Sequence, residues 1–218
     1  KVICNGSIAS PQILSSTVPN VSYSWTNNNT LIGLGASGNG NVPSFTATNT
    51  SAAPISGLVT VTASFTNGGV TCTQSGTYSI TVNPTPNVVD PLDQVVCHGS
   101  LTNTVVFQGA VSGTVFNWTN TNTTIGLANT GNGDIAPFTG FNTTLLPTSG
   151  TVTVTPSYTN LGTICFGSPE NFVITVNPIP TLTDPADQVL CNNNNTQAVN
   201  FVGSVPNTVY SWQNNNIS

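Results

Sequence analysis

The sequence predicts an all-β chain made of two and a half copies of one β-sandwich unit. The first observation behind this is a repeat. V-S-Y-S-W-T at 21–26 returns as T-V-F-N-W-T at 114–119 and as T-V-Y-S-W-Q at 208–213, with Trp25 and Trp118 93 positions apart and Trp118 and Trp212 94 apart. The second is alternation with a period of two. In G-L-V-T-V-T-A-S-F-T (57–66) Val59, Val61 and Ala63 face one way and the hydroxyl residues the other, and G-T-V-T-V-T-P-S-Y-T (150–159) copies it, the pattern of a half-buried strand. The third is punctuation. Gly, Asn and Pro interrupt every run, and no stretch combines a 3.6-residue apolar period with helix caps.

The elements follow in order. Each unit opens on a short strand ending in cysteine (V-I-C-N-G-S at 2–7, V-V-C-H-G-S at 95–100) and then reaches its Trp strand. The segment 30–49 is rich in Gly and Asn and reads as a loop. Its anchors Ile32, Leu34, Val42 and Phe45 return 93 later as Ile125, Leu127, Ile135 and Phe138, and Asn39-Gly40 and Asn132-Gly133 are hairpin-turn pairs. After the alternating strand comes a short loop carrying the second cysteine. The last strand is T-Y-S-I-T-V-N (77–83), copied as N-F-V-I-T-V-N (171–177).

The junctions N-P-T-P-N-V-V-D-P-L-D-Q-V-V-C (83–97) and N-P-I-P-T-L-T-D-P-A-D-Q-V-L-C (177–191) carry three prolines each, which predicts stiff, extended connectors. The units are therefore 1–83, lacking its first residues, 84–177, and 178–218, the first part of a third. Strands of about nine residues would make each unit roughly 30 Å long. Trp25, Trp118 and Trp212, on an early central strand, take the buried-Trp position of immunoglobulin-like sandwiches and are expected in the core.

Charge narrows the function. Charged residues are 3 % of the chain, net charge is −5, and Lys1 is the only Lys or Arg. Nothing is available to neutralise phosphates, so nucleic acid and anionic lipid are poor partners. No apolar run approaches the ~20 residues that span a bilayer, so direct membrane insertion is not expected. G-x-S-x-G is absent, and His98 is Asn5 and Asn192 in the other copies, which fits an exposed loop better than a repeated catalytic or metal-binding position. The chain is expected not to be an enzyme.

Cysteine spacing is regular. Cys4 to Cys72 and Cys97 to Cys165 are both 68 positions, and Cys191 is the counterpart of Cys97. One pair per unit reads as an intradomain disulfide, Cys4–Cys72 and Cys97–Cys165, with Cys191 pairing beyond the chain, in an oxidising, extracytoplasmic setting. Closing such a loop would stabilise a unit by ~4 kcal/mol in the chain-entropy model, and the bond is expected to close one end of the sandwich. Asp90 and Asp93, copied as Asp184 and Asp187, are the calcium candidates at the junctions, but two side chains supply few of the oxygens that calcium takes. Otherwise no cofactor is implied.

The unit resembles the PKD-like, immunoglobulin-like tandem repeats of very large surface proteins of Bacteroidota, of which the mobile gliding-motility adhesins are the best-known kind. The residues carrying this are Tyr23-Ser24-Trp25-Thr26 with Asn27, Asn28 and Asn29, Ile32-Gly33-Leu34, Gly38-Asn39-Gly40 with Pro43 and Phe45, Val59-Thr60-Val61-Thr62, the Cys72 region, and Thr81-Val82-Asn83-Pro84. Ordinary PKD domains carry a W-D-F-G-D-G-type motif where this chain has Trp-Thr-Asn. The resemblance implies antiparallel sandwiches, export by the type IX system to the outer-membrane surface, and a stalk or filament of a cell-surface adhesin whose partners are neighbouring repeats, with any glycan or substratum ligand bound elsewhere. Two alternatives stand beside it. One is a glycan-binding module using the Gly-rich segment 34–45 and the Asn tips 27–29, 192–195 and 214–216. The other is a laterally self-associating fibre subunit.

Overall fold

The computed structural model describes residues 1–215; Asn216, part of the last Asn tip, lies outside the described residues. Among the described residues the chain is all-β apart from two 3-10 turns. Unit one contains β1 (Val2–Cys4), β2 (Ile8–Ala9), β3 (Ser22–Asn27), β4 (Ser37–Asn39), β5 (Phe45–Thr46), β6 (Ile55–Asn67) and β7 (Val70–Asn83). Unit two contains β8 (Gln94–Cys97), β9 (Val115–Asn120), β10 (Thr130–Asn132), β11 (Thr148–Asn160), β12 (Thr163–Phe166) and β13 (Glu170–Asn177).

The main sheets run β1-β7-β6-β3-β4 and β10-β9-β11-β13-β8, with β12 extending β11. All their pairings are antiparallel except the two that join a unit's first strand to its last, β1 with β7 and β8 with β13. The facing layer is thin. In unit one it is the β2–β5 ladder and the Gln12–Val42 bridge; in unit two it is the bridges Leu101–Thr139 and Val105–Ile135. The segment read as a loop thus contributes short strands and isolated bridges.

The central strands are 13 residues long in both units, so a sandwich measures about 43 Å along its strands rather than 30. The second cysteine lies on strand, not in a loop: Cys72 pairs across from Phe65 and Cys165 from Tyr158. Alternation places Val59, Ile80 and Val82 in one core with Ile32, Leu34 and Val42, and Val152, Val154, Ile174 and Val176 in the other with Ile125, Leu127 and Ile135.

Trp25 and Trp118 are buried as expected. Each ring lies flat over a glycine of the neighbouring edge strand, Gly38 or Gly131, where a Cβ would collide with the indole. Trp212 is the correction. It is 75 % exposed. Residues 178–215 form no strand, and no long strand lies beside Trp212 as β6 and β11 lie beside Trp25 and Trp118.

With so few charges, amides connect loops to sheets. Asn27, buried at the end of β3, donates from Nδ2 to the carbonyls of Asn29 and Leu34, both at 2.9 Å, and accepts the Asn29 N–H at 3.1 Å. Asn120 repeats this with Asn122 and Leu127. Asn49 and Asn142 bond the carbonyls of Val82 and Val176, at 2.8 and 2.7 Å, from the loop on the other side. Asn29 caps the first 3-10 turn through the Leu31 N–H and donates to Ser56 O.

Two outcomes follow. Gly131→Ala should lower stability by about 1–3 kcal/mol through overpacking against Trp118, whereas Gly35→Ala, which meets nothing within 4 Å, should be near neutral by urea denaturation. Asn120→Ala leaves the Leu127 carbonyl and the Asn122 N–H without this partner and should cost about 2–4 kcal/mol in the same assay.

Candidate functional site: the joint between the sandwiches

The parallel pairing of first and last strands sets the geometry of each unit's ends. Cys4 lies beside Asn83, so both sit where the chain leaves unit one. The β6–β7 hairpin, with Cys72 near its tip, lies at the opposite end. Cys72 and Asn83 are 11 residues apart on one strand, or about 36 Å. In unit two Cys97 lies beside Asn177, and Cys165 is opposite Tyr158, ten residues along β11 from the Thr148–Val176 pair, or about 33 Å.

A disulfide requires Cα atoms within ~7 Å, so neither predicted intraunit bond, Cys4–Cys72 or Cys97–Cys165, can form. The structure instead bonds Cys4 to Cys165, Cα to Cα 5.5 Å, across the two units. Cys72, Cys97 and Cys191 are free and exposed. A spacing of 68 within each unit is equally compatible with a bond from one unit to the next, because the intervening period is the same for every residue.

The bond belongs to a larger joint. The tip of the β11–β12 hairpin reaches unit one, where Asn160 Nδ2 donates to Asn83 Oδ1 at 2.8 Å, and Asn83 is fully buried. Asn5 Nδ2 donates to Thr85 Oγ1 at 2.9 Å, tying unit one to the start of the connector.

The connector lies against unit two. The Pro86 carbonyl presses on Gly167 and the Asn87 carbonyl on Gly109, at positions where a Cβ would have no room. Asn87 Oδ1 accepts the Ala110 N–H at 2.8 Å, and Val89 N–H donates to Gln108 O at 2.7 Å. Pro84, Pro86 and Val88 are buried. The prolines fix an extended backbone, and the surface of the next unit holds it.

One of the junction acids, Asp93, has a structural partner. Asp93 Oδ1 accepts the Val173 N–H at 2.6 Å, where β13 begins to pair with β8. Asp90 and Asp93 share a surface cleft with Gln94, Asn103 and Val105, and Asp187 lines the corresponding cleft of the third unit with Gln188 and Gln197. Asp184 is exposed. Among the described residues no three His, Cys, Asp or Glu side chains come together.

His98 is not a loose loop residue. Its Nδ1 accepts the Asn142 N–H at 2.9 Å and its ring meets Phe141 edge-on at 5.2 Å. Asn5 Oδ1 does the same for Asn49 in unit one, at 2.8 Å. The two residue types differ, but each places one acceptor at the same point, which explains the variation between copies. Of the Asn tips named for the glycan alternative, the amides of Asn27 and Asn29 serve backbone groups of their own unit.

The sequence showed Asn83, Asn177 and the glycines only as recurring letters. Nothing in the sequence distinguishes the joint partners Asn160, Gly109 and Gly167, because no local pattern marks a residue that acts on the neighbouring unit.

No family model matches the chain, and no curated protein matches it. Among solved structures it is similar to a three-Ig variant of titin domains I67–I69, at 13 % identity and a TM-score of 0.49, over 94 % of this chain and 73 % of that one. A second titin I67–I69 fragment gives 12 % identity and a TM-score of 0.44 over 85 % of this chain, which spans 65 % of that fragment. Chicken VE-cadherin EC1-2 gives 16 % identity and a TM-score of 0.34, over 78 % and 92 %. All three scores fall below 0.5, so the assignment of sandwiches rests on the strand topology above. Among the described residues no helix is long and apolar enough to cross a membrane, which says nothing of a β-barrel.

One substitution pair tests the His98 contact. His98→Asn should keep the stability of unit two, as Asn5 keeps that of unit one. His98→Leu should lose about 1–3 kcal/mol through the unpartnered Asn142 N–H, read by denaturant unfolding.

Proposed function

We propose that the chain is a non-enzymatic segment of the stalk or filament of a large adhesin on the surface of a member of the Bacteroidota, exported by the type IX system and serving surface attachment or gliding motility. The observation that carries this is the joint. A disulfide, a half-buried amide pair and a proline connector seated on the next sandwich hold consecutive units in one arrangement. Such a joint suits a spacer that has to hold its reach. A flexible string of independent binding modules would have no use for it.

The disulfide itself favours an extracytoplasmic location. The near absence of Lys and Arg removes trypsin-type cleavage sites after Lys1, which suits exposure outside the cell. The neutral Asn and Thr surface is compatible with close packing of many copies on one cell.

Antibodies raised against this chain should label intact, unpermeabilised source cells and inhibit their attachment or movement on glass. In a reducing large-pore gel they should detect a single polypeptide of several hundred kilodaltons. Label confined to the cytoplasm, or a band near the mass of this chain alone, would overturn the proposal.

A further inference from the structure

Cys72 and Cys97 occupy the two halves of the joint already seen between Cys4 and Cys165, each facing away from it. At the exit of unit two, Cys97 pairs beside Asn177 as Cys4 does beside Asn83. The backbone around it repeats bond for bond. His98 N–H donates to Asn177 O at 2.8 Å as Asn5 N–H does to Asn83 O at 3.0 Å, and Ser100 N–H to Cys97 O as Ser7 N–H does to Cys4 O.

The chain also leaves unit two as it leaves unit one. Thr183 N–H donates to Val202 O at 2.8 Å, matching Val89 and Gln108. Gly203 packs under the Thr181 carbonyl as Gly109 packs under that of Asn87. One detail departs: Asn5 and Thr85, which bond each other at the first joint, become His98 and Ile179 at the second.

The entrance of unit one supplies the complementary half. In unit two this region is covered by the connector, and there Val111 is 4 % exposed and Cys165 is buried. In unit one the equivalent Val18 is 49 % exposed and Cys72 is exposed. The result is an open cleft whose apolar part is Val18, Val21, Ala63, Phe65 and Cys72, flanked by Ser16 and Gln74. Its position, apolar lining and thiol match the surface on which Pro84–Val88 and Cys4 sit in the joint that is formed, but Ser16 and Gln74 carry side chains where Gly109 and Gly167 receive the connector carbonyls.

We infer that Cys72 and Cys97 are the bonding groups of further joints of the same kind, so that the array is stapled unit to unit by a ladder of interdomain disulfides. Cys97 takes the Cys165-type cysteine of the following unit, and Cys72 takes the Cys4-type cysteine of a preceding unit, whose connector must seat differently around Ser16 and Gln74. The position expected from the sequence to pair with Cys191 is then the partner of Cys97, and Cys191 pairs one unit further on.

Each bond forms by thiol–disulfide exchange. One thiolate attacks a protein disulfide of the oxidising compartment, and the second thiolate resolves the mixed disulfide. The two cysteines lose two protons and two electrons, and the oxidant's disulfide is reduced to a dithiol. The inference rests on the array reading proposed above.

The test is disulfide mapping of the full-length native polypeptide, isolated from source cells with thiols alkylated and without reduction. Pepsin is the suitable protease, because the chain offers no tryptic site after Lys1. The expected result is that neither Cys72 nor Cys97 is alkylated before reduction. Each peptide should instead be recovered joined to a cysteine peptide of the adjacent unit, alongside Cys4–Cys165. Recovery of Cys72 or Cys97 in the alkylated, free-thiol form from a polypeptide of several hundred kilodaltons overturns the ladder and leaves the stalk standing. Recovery of Cys97 joined to Cys165 overturns it too. A polypeptide no longer than this chain overturns both.

Discussion

The pairing of a unit's first strand alongside its last, in parallel, is the constraint from which the joint follows. It sends β1 and β7 out of the sandwich at the same end and so brings Cys4 next to Asn83. Once that is fixed, the long antiparallel hairpin must carry the other cysteine to the far end, since a strand pair has nowhere else to turn. A unit built this way has one thiol at its exit and one at its entrance. The bond can close only between neighbours, and the amide of Asn160 and the connector then find their seats because the sulfurs hold the two ends together.

A second constraint is the shortage of charge. Most soluble domains satisfy loop backbones and keep their surfaces wet with ionised side chains. Here that work falls to asparagine, whose amide both donates and accepts. Asn27, Asn49 and their copies each bond two or more backbone groups inside the fold, in places where an isolated carboxylate or ammonium would be costly to bury. The tracts that look like neutral decoration in the sequence are therefore partly internal wiring. His98, standing where Asn5 stands, shows that the geometry demands a single acceptor and tolerates more than one residue that supplies it.

The β character of the chain, its period and its core strands were legible because alternation and repetition are local patterns. Val59-Thr60-Val61-Thr62 announces a half-buried strand wherever it occurs, and the Trp strand fixed the period. What was not legible is which end of a unit each residue occupies. That depends on the parallel pairing of β1 with β7, a contact between residues nearly eighty positions apart with no turn to mark it. Spacing alone therefore points to the wrong disulfide partners. In a periodic sequence, bonds within a unit and bonds between units leave the same spacing. Analogy with its copies puts Trp212 in a core, yet a Trp strand buries its ring only when a long partner strand lies beside it.

The bond between Cys4 and Cys165 also closes the residues between them, spanning a sequence separation of 161, into one covalent loop. A pull on the two ends of the chain crosses from residue 4 to residue 165 through two sulfur atoms. The first sandwich and most of the second lie off that path. Were they to unravel, the extra contour, about 560 Å at ~3.5 Å per residue, would stay inside the loop and would not lengthen the tether. Tension applied to the two ends would pass through the sulfurs, and the folded strands inside the loop would not carry it.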